Sequence, residues 1–389
     1  MSQDHEAHGS ETLEQLTSAV RRFVREELLP AEQQVEEEDE IPERIIDQLK
    51  ALGLFGMTIP EEYGGLGLSM YEEANVVFEI GYASPVFRSY FGTSNGVGTL
   101  GIIIDGTAEQ RRRYLPRIAT GDLVTSFCLT EPDAGSDAAS LTTRAVRDGD
   151  HYVITGTKRF TTNSPQAGIF TVYARTGRRE DGPGGISAFL VERETPGITV
   201  GPRHRKMGFR GAHTADVVFE NCRVPASALL GGREGIGFKN AMKSLDHARI
   251  HMGAVAVGLS QRIIDEGVRY AMERRQFGKP IADFQLMQGM LADCATEAFA
   301  ARAMVEKAAR DKDAGIRITK ESACCKYFAT EALGRIADRV VQIHGGYGYL
   351  KEYAIERLYR DCRLLRIYEG TSQIQQLIIA REMLKEAGA

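Results

Sequence analysis

The 389-residue chain contains no tryptophan, no CxxC pair, no HExxH motif and no apolar run approaching the length of a membrane span. Its six scattered cysteines lack the spacing of a disulfide framework, which indicates reduced thiols. The eight histidines form no His-Cys cluster, so the sequence predicts no metal site. Because the N-terminal stretch MSQDHEAHGSE is acidic and polar, unlike a signal or transit peptide, we expect a cytoplasmic protein.

An excess of positive charge is also missing. Lys and Arg total 48 against 53 Asp and Glu, a net charge of −5. This balance gives no electrostatic basis for binding nucleic acid or an anionic membrane surface. Hydrophobic residues make up 43% and charged residues 26% of the chain, which are ordinary values for a globular protein. The length allows two or three domains with a large core.

Apolar periodicity divides the chain into three regions. Residues 1–125 are mostly helical, with apolar positions such as Leu13, Leu16 and Val20 at helical spacing. Residues 126–235 read as short strands separated by Gly, Asp and Pro, including a hairpin predicted to turn at Asp148-Gly149. This pattern predicts a compact antiparallel barrel or sandwich.

Residues 236–389 return to long helical patterns, in windows at about 236–275, 283–312, 317–343 and 353–386. Their lengths and short connections suit an antiparallel four-helix bundle. The sequence therefore predicts a mainly α protein with a central β domain.

Two segments of the predicted β domain have the chemistry of a binding site. Residues 127–140, FCLTEPDAGSDAAS, are rich in turn residues whose N–H groups and hydroxyls could hold phosphate or ring oxygens. Residues 156–164, GTKRFTTNS, place an aromatic ring before two hydroxyls and an amide, which suits a planar cofactor. Each has a plainer interpretation, as a turn-rich loop and as a half-buried strand end.

Two further segments lie in the predicted bundle. ERRQFGKPIADFQ, residues 273–285, has an Arg pair suited to a pyrophosphate, although cations also complement a helix C-terminus. QIHGGYGYLKEY, residues 342–353, is a Gly-rich loop between helices.

One carboxylate stands in an unusual local setting. Glu369 lies between Tyr368 and Gly370, just before a helix predicted to start at Ser372, with Gln375 at capping-box spacing. Taken alone, Glu369 could be a solvated loop charge.

The order and spacing of several stretches resemble the acyl-CoA dehydrogenase family over essentially the full chain. These stretches are PEEYGGLG, LTEPDAGSD, RRQFGKP, QIHGGYGY and IYEGTSQIQ. The resemblance implies an N-terminal helical domain, a middle β domain and a C-terminal helical bundle, usually assembled as a homotetramer. It also implies FAD bound between the β domain and the bundle, with a neighbouring subunit completing the site and electron-transfer flavoprotein as the acceptor.

The resemblance implies specific site residues. Matching positions for FAD contacts are Phe127, Leu129, Thr130, Ser136, Phe160, Thr161, Thr162, Arg274, Phe277, Gln285, Gln342, Gly345, Gly346, Thr371 and Gln373. Matching positions near the CoA thioester are Ser136, Asp246, Arg249, Tyr368 and Gly370.

Glu369 matches the family's catalytic base. In the family's reaction a base removes the pro-R α-proton while the β-hydrogen leaves as hydride to flavin N5. A water-poor pocket would raise the pKa of the carboxylate, whereas a nearby helix N-terminus favours the anion. In the family the developing enolate oxygen is held by the base residue's own N–H and by a flavin ribityl hydroxyl. Some relatives carry the base on an earlier helix, but the matching residue here is Ala248.

Two departures from the family pattern bear on specificity. Phe160 stands where relatives often have Trp, and we expect FAD binding to be kept. Arg88 matches, by its spacing to the downstream AEQ, an Arg that glutaryl-CoA dehydrogenases use for the distal carboxylate. A surface Arg or a structural salt bridge is the alternative. The substrate is thus either a short or medium acyl-CoA or a dicarboxylyl-CoA.

Two other classes of protein remain open at this point. A flavoprotein oxidase on the same scaffold would return electrons to O₂. A catalytically silent acyl-CoA-binding or scaffold protein is disfavoured, because Glu369 and the FAD segments are all present.

Overall fold

The computed structural model describes residues 2–388, with side-chain surroundings from residue 11 onward. The N-terminal part is helical, as predicted. Its helices are α1 (Ser2–Phe23), α2 (Leu29–Glu38), α3 (Glu43–Ala51), α4 (Met70–Ile80), α5 (Pro85–Asn95), α6 (Val97–Asp105) and α7 (Ala108–Ala119), and a π-helical segment, Val24–Leu28, joins the first two.

Local sequence signals explain where two of these helices begin. Ser69 and Glu72 form a capping box at α4, in which each side chain accepts a hydrogen bond from the other residue's backbone N–H. At α5, Ser84 is the N-cap and Pro85 occupies the first turn, where its missing N–H has no helical partner to lose.

The central part is a curled seven-stranded sheet. Its strands are β1 (Thr125–Cys128), β2 (Arg144–Asp148), β3 (His151–Thr162), β4 (Ile169–Arg175), β5 (Ile186–Glu192), β6 (Ile198–Val200) and β7 (Thr214–Pro225). The strand order is β1-β4-β2-β3-β7-β6, with β5 added on β4. Most pairs are antiparallel, but β4 runs parallel to β1 and β2. The predicted hairpin is present, although Asp148 pairs with His151 and the turn therefore falls one residue later than expected.

The C-terminal part contains α8 (Gly237–Glu273), α9 (Gln285–Asp313), α10 (Thr319–His344), α11 (Ala354–Leu365) and α12 (Ser372–Glu386). A short hairpin, β8 (Arg275–Gln276) and β9 (Lys279–Pro280), separates α8 from α9. The fourth predicted helical window is thus two helices, α11 and α12, joined by the turn at 366–371.

The start of α12 differs from the prediction. Thr371, not Ser372, is the N-cap, since its hydroxyl accepts from the N–H of Ile374 at 3.3 Å. The Ser372 hydroxyl instead donates to Glu331 at 2.5 Å. The Gln375 side chain turns back to the preceding carbonyls, so the expected capping box does not form.

Helix α5 is fixed to both neighbouring parts of the protein. Its Phe87 and Phe91 share a core with Ile250 and Met252 of α8. On the other side, the amide nitrogen of Asn163, directly after β3, lies 3.0 Å from the Ser89 carbonyl oxygen and 2.7 Å from the Thr93 hydroxyl. The end of β3 and helix α5 are therefore held in one arrangement.

Within residues 2–388, no helix is both long and apolar enough to cross a membrane. All six cysteines are free thiols.

Candidate active site

The turn between α11 and α12 holds Glu369 in a fixed backbone conformation. Glu369 has φ 55° and Gly370 has φ 89°, both in the left-handed region, which a non-glycine residue seldom adopts. Lys326 of α10 donates to the Gly370 carbonyl at 2.7 Å. The Gln375 amide donates to the carbonyls of Glu369 and Gly370 at 3.1 and 3.0 Å. These bonds compensate for the unfavourable backbone conformation.

The backbone N–H of Glu369 has no hydrogen-bond partner within the described chain. Among the neighbouring N–H groups, Tyr368 donates to Leu364 and Ser372 donates to Arg366. The N–H groups of Gly370 and Thr371, like that of Glu369, have no partner within the described chain. A free N–H beside a carboxylate offers one donor and one base at a single residue.

Three cationic side chains act on the charge of the Glu369 carboxylate. Burial raises the pKa of Glu369 above its ordinary value, while Arg88, Lys326 and Arg249 oppose that rise. The adjacent Tyr368 ring packs edge-on against Phe209, with 6.3 Å between ring centroids. Glu369 is therefore half-buried and partly desolvated beside positive charge, which argues against its interpretation as a solvated loop charge.

Arg88 is buried in this same region, on α5. Its Nε donates to His251 Nε2 at 2.6 Å, and it forms no ion pair with a carboxylate of residues 11–388. The terminal nitrogens Nη1 and Nη2 make no hydrogen bond within the same range. Neither a surface position nor a structural salt bridge describes this residue, so both plainer interpretations of Arg88 are wrong.

Asp246 and Arg249 form an ion pair beside the turn. Arg249 Nη1 lies 2.5 Å from Asp246 Oδ1, and Thr319 donates to the other carboxylate oxygen at 2.9 Å. Arg249 Nε is buried and has no hydrogen-bond partner among the described residues, so one donor is available to a ligand.

The two predicted flavin segments of the β domain lie side by side. The Ser126 hydroxyl donates to the Thr162 carbonyl at 2.5 Å, and the Arg159 N–H donates to the Thr130 carbonyl at 2.8 Å. Lys158 Nζ donates to the Leu129 carbonyl at 3.1 Å. Because Asn163 also bonds to α5, this surface connects through Ser89 to Arg88 and Glu369.

Side chains on β3 alternate between two environments. Phe160 is 61% exposed and has φ 55°, whereas Thr161 is only 1% exposed. The Thr161 side chain lies inside the sheet, so Thr161 could contact a ligand only through its backbone.

On the neighbouring strand β1, the ring of Phe127 packs on Tyr173 of β4 with 4.9 Å between ring centroids.

The exposed groups of this surface fit a flavin. The hydroxyls of Thr130, Ser136 and Thr162 form no hydrogen bond inside the described chain, and Phe160 presents a large apolar ring. A flat heteroaromatic ring system with polar edges requires an apolar face and unpaired hydrogen-bonding groups of this kind.

The remaining predicted FAD residues lie in the β8–β9 hairpin with the start of α9, in the last turn of α10 with the Gly-rich loop after it, and at the start of α12. The Arg274 guanidinium lies 5.2 Å from the Tyr347 ring centroid, which brings the β8–β9 hairpin next to the Gly-rich loop. Phe277 is 93% exposed, and Gln285, Gln342, Gly345, Gly346 and Gln373 are also exposed. The Thr371 hydroxyl caps α12.

A cavity of about 280 Å³ lies elsewhere, between α7 and strands β5 and β7. Its polar wall is already paired: the Gln110 amide donates to the Ser227 and Leu229 carbonyls, and Arg113 pairs with Glu192 at 2.7 Å. None of the predicted site residues lines it.

Sequence reasoning missed several residues that organise the site. Lys326, His251 and the buried pair Lys158–Glu131 were not predicted. The amide of Asn163 was expected to suit the edge of a planar cofactor, whereas its nitrogen bonds to Ser89 and Thr93 of α5. A charged or polar residue on an otherwise apolar helical face was the one available signal for Lys326 and His251.

Lys158→Met is expected to destabilise the protein by about 3–5 kcal/mol, because Glu131 would remain buried without its counter-ion. In the native chain Lys158 Nζ lies 2.8 Å from Glu131. Although burial alone would raise the pKa of Glu131, Lys158 holds it at about 2. Glu131 also accepts from the N–H groups of Thr142 and Thr143, so the loop after β1 should loosen.

The measurement is denaturant unfolding of the FAD-loaded protein, together with its FAD content. Arg223→Met is the control, since Arg223 pairs with Asp148 at 3.4 Å on the exposed side of the sheet. That variant should lose less than about 1 kcal/mol. Equal effects of the two substitutions would contradict the role given to Lys158.

All three parts of the chain match domain models of one protein family. Residues 10–122 match the family model described as acyl-CoA dehydrogenase, N-terminal domain. Residues 126–222 match the middle domain and residues 235–384 the C-terminal domain of the same family.

Individual proteins are similar over nearly their whole length. The acryloyl-CoA reductase (NADH) of Anaerotignum propionicum is 44% identical over 96% of this chain and 94% of its own. The CarC subunit of the caffeyl-CoA reductase-Etf complex of Acetobacterium woodii is 41% identical, over 97% of this chain and 99% of its own. The structure of a glutaryl-coenzyme A dehydrogenase glutaryl-CoA complex superimposes with a TM-score of 0.91 at 36% identity, covering 96% of this chain and 95% of the other.

Proposed function

This chain belongs to the acyl-CoA dehydrogenase family, and we propose that it oxidises an acyl-CoA thioester to the 2-enoyl-CoA with Glu369 as the base. In this reaction Glu369 takes the α-proton, and the β-hydrogen leaves with its electron pair as hydride. The base must be an anion of raised basicity in a site with little water.

The setting of Glu369 is the observation that carries this proposal. Its turn is fixed by Lys326 and Gln375, burial raises its pKa, and its own N–H is unpaired. As the α-proton leaves, negative charge develops on the thioester oxygen, and the free N–H is a donor suited to hold it. Arg249 and Lys326 add positive potential in the same place.

FAD is the cofactor that the family implies, and when bound its ring supplies the hydride acceptor. We propose that Thr130, Ser136, Phe160 and Thr162 hold the ring, with Phe127, Leu129 and the backbone of Thr161 behind them. Arg274, Phe277 and Gln285, with the loop around Gly345 and Gly346, would reach the FAD of a second copy in a homotetramer. The exposure of Phe277 supports this arrangement.

A short dicarboxylyl-CoA is the second candidate substrate. The buried Arg88 offers two unpaired nitrogens in the region that also contains Glu369. Leaving them unpaired against a plain alkyl tail is unfavourable, whereas a distal carboxylate would accept from both.

The names of two relatives bear on the proposed redox partner and on the direction of the reaction. One similar protein is named a reductase and another is a subunit of an Etf complex. The same base and hydride path serve oxidation and reduction, so the redox partner sets the direction. We propose electron-transfer flavoprotein as the acceptor for oxidation.

The test is anaerobic titration of the FAD-loaded protein with short, medium, branched and glutaryl thioesters, following bleaching of the visible flavin band. Bleaching by at least one thioester is expected. If no acyl-CoA reduces the bound flavin, and no 2-enoyl-CoA reoxidises it after chemical reduction, the proposed function is wrong. Rapid hydrogen peroxide formation during aerobic turnover would instead indicate an oxidase.

Lys326→Gln is expected to shift the acidic limb of the pH–rate profile to higher pH. Glu369 accepts a proton only when ionised, so kcat/KM falls as pH drops through its pKa. The Lys326 charge opposes the rise of that pKa, and removing the charge lets the pKa rise further. Burial lowers the pKa of Lys326 itself to about 8, so the two profiles should converge above that pH.

The comparison is kcat/KM against pH for the wild type, Lys326→Gln and a control, Lys320→Gln. Lys320 lies on the same helix but pairs with Glu386 at the surface, 2.6 Å away. The control should follow the wild-type profile. A shift to lower pH in Lys326→Gln would contradict the assignment.

A further inference from the structure

Beside the site lies a buried polar network that the proposed reaction does not use. It joins Glu73 of α4, Arg88 of α5, His247 and His251 of α8, and Lys312 of α9. Glu73 is fully inaccessible, and Arg88 and both histidines are nearly so. Buried charges in such numbers are costly to the fold unless they are paired.

The hydrogen bonds of His251 require one tautomer of its ring, with the hydrogen on Nδ1. Arg88 Nε can only donate, so His251 Nε2, 2.6 Å away, must accept. The ring hydrogen is then on Nδ1, which contacts Glu73 Oε1. The other Glu73 oxygen lies 2.7 Å from His247 Nε2, and the Asn95 amide donates to Oε1 at 3.3 Å.

The charges agree with this neutral ring. Burial and then Arg88 lower the pKa of His251 to about 4, so the imidazole is uncharged near neutral pH. Burial alone would raise the pKa of Glu73, but His247 and His251 hold it far below its ordinary value. The negative charge of Glu73 thus offsets the positive charge of Arg88, and the neutral imidazole of His251 lies between them.

This contact fixes the orientation of the guanidinium. His251 accepts from Nε, and the guanidinium also lies close to the backbone of Gly92, where an added Cβ would approach Arg88 Cζ to 2.7 Å. The two terminal nitrogens remain unpaired, in the forked arrangement that matches a carboxylate.

We infer that His251, oriented by Glu73, is a positioning residue that presents Arg88 to the distal carboxylate of a short dicarboxylyl-CoA and so sets substrate preference. The inference rests on the proposed function and deepens it. The charges of Arg88 and Glu369 act on each other, which favours a short acyl chain between the two groups.

The experiment compares glutaryl-CoA with pentanoyl-CoA, which has the same five-carbon chain and no distal charge. The wild type should have the higher kcat/KM for glutaryl-CoA. His251→Leu should reduce that preference by about 100-fold through KM for glutaryl-CoA, leaving pentanoyl-CoA turnover within a few-fold. His251→Gln restores an acceptor for Arg88 Nε and should recover much of the preference.

Two more variants make the test specific. Gly92→Ala displaces the guanidinium without touching His251 and should also reduce the preference. His247→Gln alters the contact between His247 and Glu73 but no contact of Arg88, so this variant should keep the preference for glutaryl-CoA. FAD content and thermal unfolding of every variant establish that each is folded.

The outcomes separate this inference from the proposed function. An unchanged preference in His251→Leu, an equal loss with both thioesters, or equal losses in His251→Leu and His247→Gln would each overturn the inference. A wild type that prefers pentanoyl-CoA overturns it too, yet leaves the proposed function standing. Failure of every thioester to reduce the flavin would overturn both.

Discussion

Glu369→Gln protein is expected to retain FAD and to lose dehydrogenation by about 10²- to 10⁴-fold, the range typical of a missing general base. The amide has nearly the same shape and can keep the turn, since Lys326 and Gln375 bond to backbone carbonyls rather than to the carboxylate. The free N–H of Glu369 is also unaffected. The loss should therefore fall on kcat, with little change in acyl-CoA affinity.

Stopped-flow measurement of flavin bleaching gives the rate directly, and equilibrium binding of a non-reacting acyl-CoA gives the affinity. Glu386→Gln is a suitable control on α12, since Glu386 pairs with Lys320 at the surface. Near wild-type turnover by Glu369→Gln would remove the base from the proposed mechanism.

Arg88→Met should reduce kcat/KM for glutaryl-CoA by about 10³-fold, because the substrate carboxylate would be buried without its cationic partner. Met has similar length and no charge, and Glu73 keeps its contacts with His247 and His251. Turnover of pentanoyl-CoA should be kept or increased, since a neutral tail no longer faces an unpaired guanidinium. Rates should be compared on the plateau of each pH profile, because Arg88 also opposes the rise in the pKa of Glu369.

Arg25→Met offers a matched control, since Arg25 lies 3.8 Å above the Tyr82 ring centroid outside the site. If Arg88→Met and Arg25→Met had the same effect on glutaryl-CoA, Arg88 would have no part in recognising the tail.

The element order and much of the helical pattern could be predicted from the sequence. The windows at 283–312 and 317–343 lie within two residues of α9 and α10 at each end, because periodic apolar positions are long enough there to define a helix. The turn at 366–371 was predicted only in part. A helix start was expected at Ser372, directly after this turn, but apolar periodicity continues on both sides of the turn, so the window 353–386 did not separate α11 from α12.

Only part of the candidate site could be predicted from the sequence. Glu369 and Arg88 could be located by motif and spacing, but the partners that give them their properties could not. His251 and Glu73 are 178 residues apart in the chain, and nothing local indicates that α4 and α8 bring them together. Lys326 similarly reaches the Gly370 carbonyl from 44 residues away. Tertiary packing determines such contacts, and a single sequence carries little trace of it.

The Arg88–His251–Glu73 contacts also constrain the order in which this protein could acquire a new substrate range. Under the proposed role of Arg88, a chain that lost Arg88 first would keep Glu73 in contact with two histidines and Asn95. We expect such a chain to stay folded and to accept neutral tails. A chain that lost Glu73 first would leave His247 and His251 without their carboxylate partner. It would also leave the buried guanidinium of Arg88 without a compensating negative charge. Descendants with alkyl specificity would therefore arise through Arg88, and a surviving Glu73–His251 pair would mark their ancestry.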